Sequence, residues 1–146
     1  IIDDTYNSSP YAVSHALSAL NNIKTDGKKI GILGDMMELG LHTQTEHEKI
    51  GEEVIGVLDV LICVGNRSEY TYKQAIKKGF NKKNIFHVFS TDEVIPIVEK
   101  YLKPNNIFLC KASQSIRLEK VVKFLMANPD EAGELLVRQE KEWQER

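Results

Sequence analysis

Residues 1–10 read Ile1-Ile2-Asp3-Asp4-Thr5-Tyr6-Asn7-Ser8-Ser9-Pro10: two apolar residues, two acids, a short polar turn and a proline. This is the pattern of a buried strand ending at a helix N-terminus. Ser9 suits the cap, and Pro10 suits the first helical position, where a missing N–H costs nothing. Val13, Ala16, Leu17 and Leu20 follow at helical spacing and predict one apolar stripe ending near Asn22. Lys29 to Gly34 (KIGILG) is then a short apolar run between turn signals, as expected of a buried parallel strand. A strand-to-helix junction is where an open α/β sheet presents its ligand site. Acids there suit ribose hydroxyls or a metal-bound phosphate, and the free amides of the following helix suit an anion.

The same alternation continues along the chain. Val60–Gly65, Ile85–Phe89 and Ile107–Cys110 read as further strands. A second helix, opened by the capping box Thr43-Gln44-Thr45-Glu46, carries His47, Ile50, Gly51, Val54 and Leu58 on one side. Tyr72, Ala75 and Ile76 mark a third that Gly79 ends. Thr91 is expected to cap a fourth, with Pro96 inside its pattern, and Ile116 to Met126 is a fifth. The fold class that follows is α/β: a Rossmann-like, doubly wound, mostly parallel sheet of five or six strands flanked by helices. This domain is expected over residues 1–127. Residues 128–146 read as a charged helical extension, with Asn128-Pro129 capping a last helix that sets Leu135, Leu136 and Trp143 among charges.

Composition excludes several function classes. Nineteen basic and twenty-one acidic residues are interspersed and leave a net charge of −2, so no footprint for nucleic acid exists. No apolar run approaches the roughly 20 residues of a membrane helix, and the N-terminus lacks signal-peptide character. Cys63 and Cys110 lie inside predicted strands and are expected as buried thiols in a reducing, cytosolic compartment. A chain that opens on Ile-Ile in a strand, without Met, is expected to be a piece of a longer protein.

The predicted strand C-termini gather Asp3, Asp4, Asn7, Asp35, Glu38, Asn66, Arg67, Lys111 and Ser113 on one rim, which suits a phosphorylated or carboxylated ligand. An acid pair after the first strand and Lys111 after the fifth also match a phospho-accepting receiver domain. That chemistry needs an acceptor aspartate after the third strand, and the residues there are Val64-Gly65-Asn66. His42 and His47 beside Glu46 and Glu48 do not form H-E-x-x-H, and His47 falls on the apolar stripe, which favours packing over a metal. Neither G-x-x-x-x-G-K-[ST] nor G-x-G-x-x-G occurs, so the chain has no phosphate-cradling loop of its own. Two readings stay open on the residues alone: half of a nucleotide site, or a flavodoxin-like binding or regulatory module without catalysis.

DDTYNSSP, then GILGDMMELGLHTQTEHEKIG, then VGN, then LCKASQSIRLEKVV carry a resemblance that runs from Ile1 to about Leu125. In these segments the chain resembles the C-terminal domain of the Mur ligases, nearest to the type that adds D-alanyl-D-alanine to UDP-N-acetylmuramoyl-tripeptide. LGDMMELG is the most specific part. The resemblance implies a cytoplasmic step of bacterial peptidoglycan synthesis, in which ATP and Mg²⁺ convert a carboxylate to an acyl phosphate that the dipeptide amine attacks. It implies N-terminal and central domains outside this chain that hold the UDP-sugar, the phosphates and the metal. No catalytic residue or metal ligand is then expected here, and the isolated domain is expected to be inactive. Asp4, Tyr6 and Asn7 match the family's DDTYN segment and would contact the nucleotide, Asp4 through ribose. Lys111 and Ser113 match its K-G-S-R segment near the incoming substrate, with Asp35, Asn66 and Arg67 on the same rim as further substrate contacts. Two departures stand out. The family's N-A-N-P is Asn7-Ser8-Ser9-Pro10, and its K-G-S-R is Lys111-Ala112-Ser113-Gln114. Gln114 lacks the guanidinium fork that binds an anion bidentately, so either Arg117 or Arg67 compensates or substrate handling differs.

Overall fold

The computed structural model describes residues 1–144. Five strands form one parallel sheet: β1 (Ile2–Asp4), β2 (Lys29–Gly34), β3 (Val60–Val64), β4 (Ile85–Val88) and β5 (Ile107–Lys111), in the order β1-β5-β2-β3-β4. Side chains alternate across a strand, so a sheet covered on both faces needs apolar residues at every position. Ile30, Ile32, Val60, Ile62, Val64, Phe108 and Cys110 fill one face, and Leu33, Leu61, Cys63 and Leu109 fill the other.

Five helices cover those faces: α1 (Pro10–Asn22), α2 (Thr43–Glu53), α3 (Ser68–Lys77), α4 (Thr91–Val98) and α5 (Glu119–Leu125). The steps β1→β2→β3→β4 run one way across the sheet, and the step β4→β5 runs back. With right-handed crossovers, that reversal puts α1, α2 and α3 on one face and α4 on the other. The two apolar clusters have this division, with Val13, Leu17, Ile50, Val54 and Ala75 in one and Val94, Val98, Val121 and Val122 in the other. α5 shares the α4 face, so the segments leaving β1 and β5 diverge to opposite sides of the sheet. A crevice opens between them.

The strand order also removes the receiver and flavodoxin readings. Those sheets run 2-1-3-4-5 with the first strand inside, whereas β1 here is an edge strand paired only with β5. Local expectations need four further corrections. The capping box at Thr43 does not form, because a 3₁₀ turn at Gly40–His42 runs straight into α2, and the Thr43 hydroxyl donates to the Gly40 carbonyl at 2.8 Å. Ser90, not Thr91, caps α4, in a capping box with Glu93, and Pro96 sits within the helix. Arg117, at φ +62, breaks the fifth helix into a 3₁₀ turn (Gln114–Ile116) and a shorter α5. The extension is not one helix: a 3₁₀ turn at Pro129–Glu131 leads to single turns α6 (Ala132–Leu135) and α7 (Lys141–Gln144), with Arg138 reversing the chain at φ +56. Its last residues, Glu145 and Arg146, lie outside the described ones. Among the described residues no helix is long and apolar enough to cross a membrane.

Candidate functional site

The crevice is a cleft of about 570 Å³, walled by residues 6–9 after β1, 37–39 after β2 and 113–115 after β5. Its size falls within the roughly 300–1,000 Å³ of ligand clefts. Each wall has its own internal support. In the first, Asp3 Oδ1 accepts from Thr5 N at 3.1 Å, Asn7 Oδ1 from Ser8 N at 2.8 Å and Ser9 Oγ from Ala12 N at 3.3 Å. Behind this loop stands Lys111, fully buried, whose Nζ lies 2.8 Å from Asp4 Oδ2 and donates to the Asn7 carbonyl at 2.9 Å. Two acid-rich residues of sequence thus become one ion pair and one loop staple. The hydroxyls of Thr5 and Ser8 are buried without a hydrogen-bond partner.

The second wall hangs on two side chains distant in sequence. Met37 N donates to Ser113 Oγ at 2.9 Å, and Ser113 N donates to the Asp35 carbonyl at 3.0 Å, which ties the β2 and β5 loops together. Met36 N donates to His47 Nε2 at 3.1 Å, while His47 Nδ1 lies 2.8 Å from the Thr43 carbonyl. An amide donating to Nε2 requires a bare nitrogen there, so Nδ1 carries the proton and the ring is neutral. Burial holds this imidazole below its usual 6.5, with the Thr43 carbonyl bond and the Asp35 charge opposing the shift. The sign is then fixed. The unfolded chain takes up a proton that the folded one resists, so stability is full above pH 6.5 and falls as pH drops from there. Urea midpoints between pH 7.5 and 5 are expected to show this loss, at most about 1.4 kcal/mol per pH unit from this residue. In His47→Gln that share of the slope should vanish; an unchanged slope would refute the assignment.

Gly51, one turn beyond His47, lets α2 approach α3: a Cβ there would lie 2.6 Å from the Thr71 carbonyl oxygen. Thr71 in turn donates its hydroxyl to the His47 carbonyl at 2.9 Å.

The sequence-derived residues therefore separate into groups. Tyr6, Asn7 and Ser113 line the cleft, with the Tyr6 ring exposed. Asp4 and Lys111 form the pair behind it. Asp35, Asn66 and Arg67 surround the end of β3 instead. Asp35 is buried and accepts from Ser68 N at 2.7 Å, serving as a remote cap for α3. Arg67 Nη1 lies 3.6 Å from Asp35 Oδ2 and 3.0 Å from Met37 Sδ, and Asn66 is exposed. Neither arginine proposed to replace the missing guanidinium lines the cleft. Arg117 is bound to buried Glu119 and to the Trp143 carbonyl. Among the described residues that line the cleft, Glu38 carries the one formal charge. Cys63 and Cys110 are buried free thiols, and burial pushes Cys110 up to about 12. Among the described residues no three His, Cys, Asp or Glu gather as a metal site. Sequence reading missed His47 and Arg138 as supports.

The family model described as the Mur ligase, glutamate ligase domain matches residues 1–114. The chain belongs to this family. Curated relatives of this Mur ligase domain include the UDP-N-acetylmuramoyl-tripeptide–D-alanyl-D-alanine ligase of Bacillus subtilis, 30% identical over 130 residues that cover 88% of this chain and 28% of the relative. The corresponding ligase of Haemophilus influenzae is 30% identical over 125 residues, 84% of this chain and 26% of that one. The Mur ligase domain thus spans less than a third of the length of the curated relatives it matches. Among solved structures, the MurF ligase of Thermotoga maritima in complex with ADP superposes with a TM-score of 0.67 at 28% identity, over 89% of this chain and 28% of the other. MurF from Acinetobacter baumannii does so with a TM-score of 0.73 at 26% identity, over 86% and 28%.

Proposed function

We propose that this domain serves an ATP-dependent ligase that adds D-alanyl-D-alanine to UDP-N-acetylmuramoyl-tripeptide in the bacterial cytoplasm. The observation that carries the reading is the cleft at the β1, β2 and β5 loops of a domain whose relatives bear that ligase's name. One of the similar structures holds ADP. N-terminal and central domains of the same polypeptide complete the enzyme, in keeping with relatives more than three times as long. Tyr6 and Asn7 meet the nucleotide from one wall, which the Asp4–Lys111 pair holds from behind. Ser113 stands on the side that meets the incoming dipeptide, with Asp35, Asn66 and Arg67 beyond it at the end of β3. The central domain would hold the ATP phosphates and Mg²⁺.

The domain's share of catalysis is then positioning and exclusion of water. The test is phosphate release by the full-length protein. Release that requires both the UDP-linked tripeptide and D-alanyl-D-alanine is expected, whereas a folded protein without that dependence would overturn the reading. Half a site also binds poorly. Calorimetry on residues 1–146 alone should find ATP affinity weaker than micromolar, and micromolar binding would contradict the divided site.

A further inference from the structure

The extension touches the cleft from behind. Arg138 is buried, and its guanidinium donates through Nη2 to the Thr5 carbonyl and through Nη1 to the Tyr6 carbonyl at 3.2 Å. The same group lies against buried Glu119, with Nη2 at 3.2 Å and Nε at 3.4 Å from Oε2. Arg117 Nε occupies Oε1 at 2.5 Å, and Arg117 Nη1 donates to the Trp143 carbonyl at 2.6 Å. Both guanidinium carbons approach the Trp143 ring, at 5.3 and 5.9 Å. A charge this deep is retained when it is paired and hydrogen-bonded, and here both carboxylate oxygens of Glu119 accept and the Arg138 guanidinium makes four hydrogen bonds. The two carbonyls Arg138 holds belong to Thr5 and Tyr6, where the chain leaves β1 and enters the wall that presents Tyr6 and Asn7.

We propose that Arg138 is a positioning residue: the extension straps back over α5, and its guanidinium, with Glu119 as counter-charge, sets the path of the loop that faces the nucleotide. The strap itself rests on geometry; its effect on nucleotide rests on the function proposed above. Arginine suits the task because its planar fork can serve two carbonyls and a carboxylate at once, which a lysine ammonium cannot do in that plane.

The experiment compares Arg138→Gln and Arg138→Lys in the full-length protein by residue-resolved hydrogen exchange and steady-state kinetics. In Arg138→Gln the amides of Tyr6 to Ser8 are expected to exchange about tenfold faster or more, with β2 and β3 unchanged. KM for ATP should rise about fivefold while kcat holds within twofold, and Arg138→Lys should not rescue either. Unchanged loop exchange, or an equal rise throughout the sheet, would overturn the proposal. Faster loop exchange with KM for ATP unmoved would keep the strap and sink the nucleotide reading. If Arg138→Gln does not fold, Glu119→Gln keeps the shape and removes the counter-charge. It should loosen the same amides, and unaltered protection there would also overturn the proposal.

Discussion

Gly65→Ala is expected to destabilise the domain by about 3–5 kcal/mol, summing a strained backbone and a lost charged hydrogen bond. Gly65 sits at φ +108, a conformation that L side chains rarely adopt. A Cβ there would stand 2.6 Å from the Asp35 carboxyl carbon and one of its oxygens. The carboxylate would have to leave the Ser68 amide it caps at 2.7 Å, and it is buried with nowhere to be solvated. Urea denaturation should show a lower midpoint with an unchanged slope. Asp35→Ala in the same background separates the two causes: it removes the collision and leaves the strain, so the double variant should lose less than the sum of the singles. A Gly65→Ala change within about 0.5 kcal/mol of the parent, the range of an inert surface substitution, would refute the account.

The second large effect is expected from Lys111→Met, which keeps the length and removes the charge. Truncating one partner of a buried pair costs about 3–5 kcal/mol. Asp4 is 43% exposed and can be rehydrated, so about 2 kcal/mol is expected here. The Asn7 carbonyl also loses its donor, which frees the first wall of the cleft. Full-length turnover should therefore fall more steeply than stability does. Combining Lys111→Met with Asp4→Asn should return part of the stability and little of the turnover. Additive losses would mean that the two residues do not act as a pair.

What was legible in the sequence was what short-range periodicity controls. The strands at Lys29–Gly34 and Val60–Val64, and the Ser9 cap with Pro10 after it, follow from apolar runs and turn chemistry within a few residues. Strand order was not legible, because nothing local says that β5 inserts between β1 and β2. The rim was recognised as a set, but its members divide by long-range contacts: Asp35 turns to cap α3, and Lys111 turns back to Asp4. Glu119 lies in the predicted fifth helix and Arg138 in the charged extension, and nothing local pairs them. They are buried only because the extension reverses at Arg138 and brings them together. His47 was read as packing, and packing is part of its work, but its ring also fixes the loop after β2.

The placement of β1 has a consequence for how the molecule comes into being. Ribosomes deliver the chain from its N-terminal side, yet among the described residues β1 pairs with nothing but β5, and its loop is gripped by residues 104 and 133 positions further on. Of the five strands, the one made first is thus the one that must wait longest. β2, β3 and β4 can assemble while it remains unpaired, and the cleft takes shape only after Lys111 and Arg138 have been synthesised.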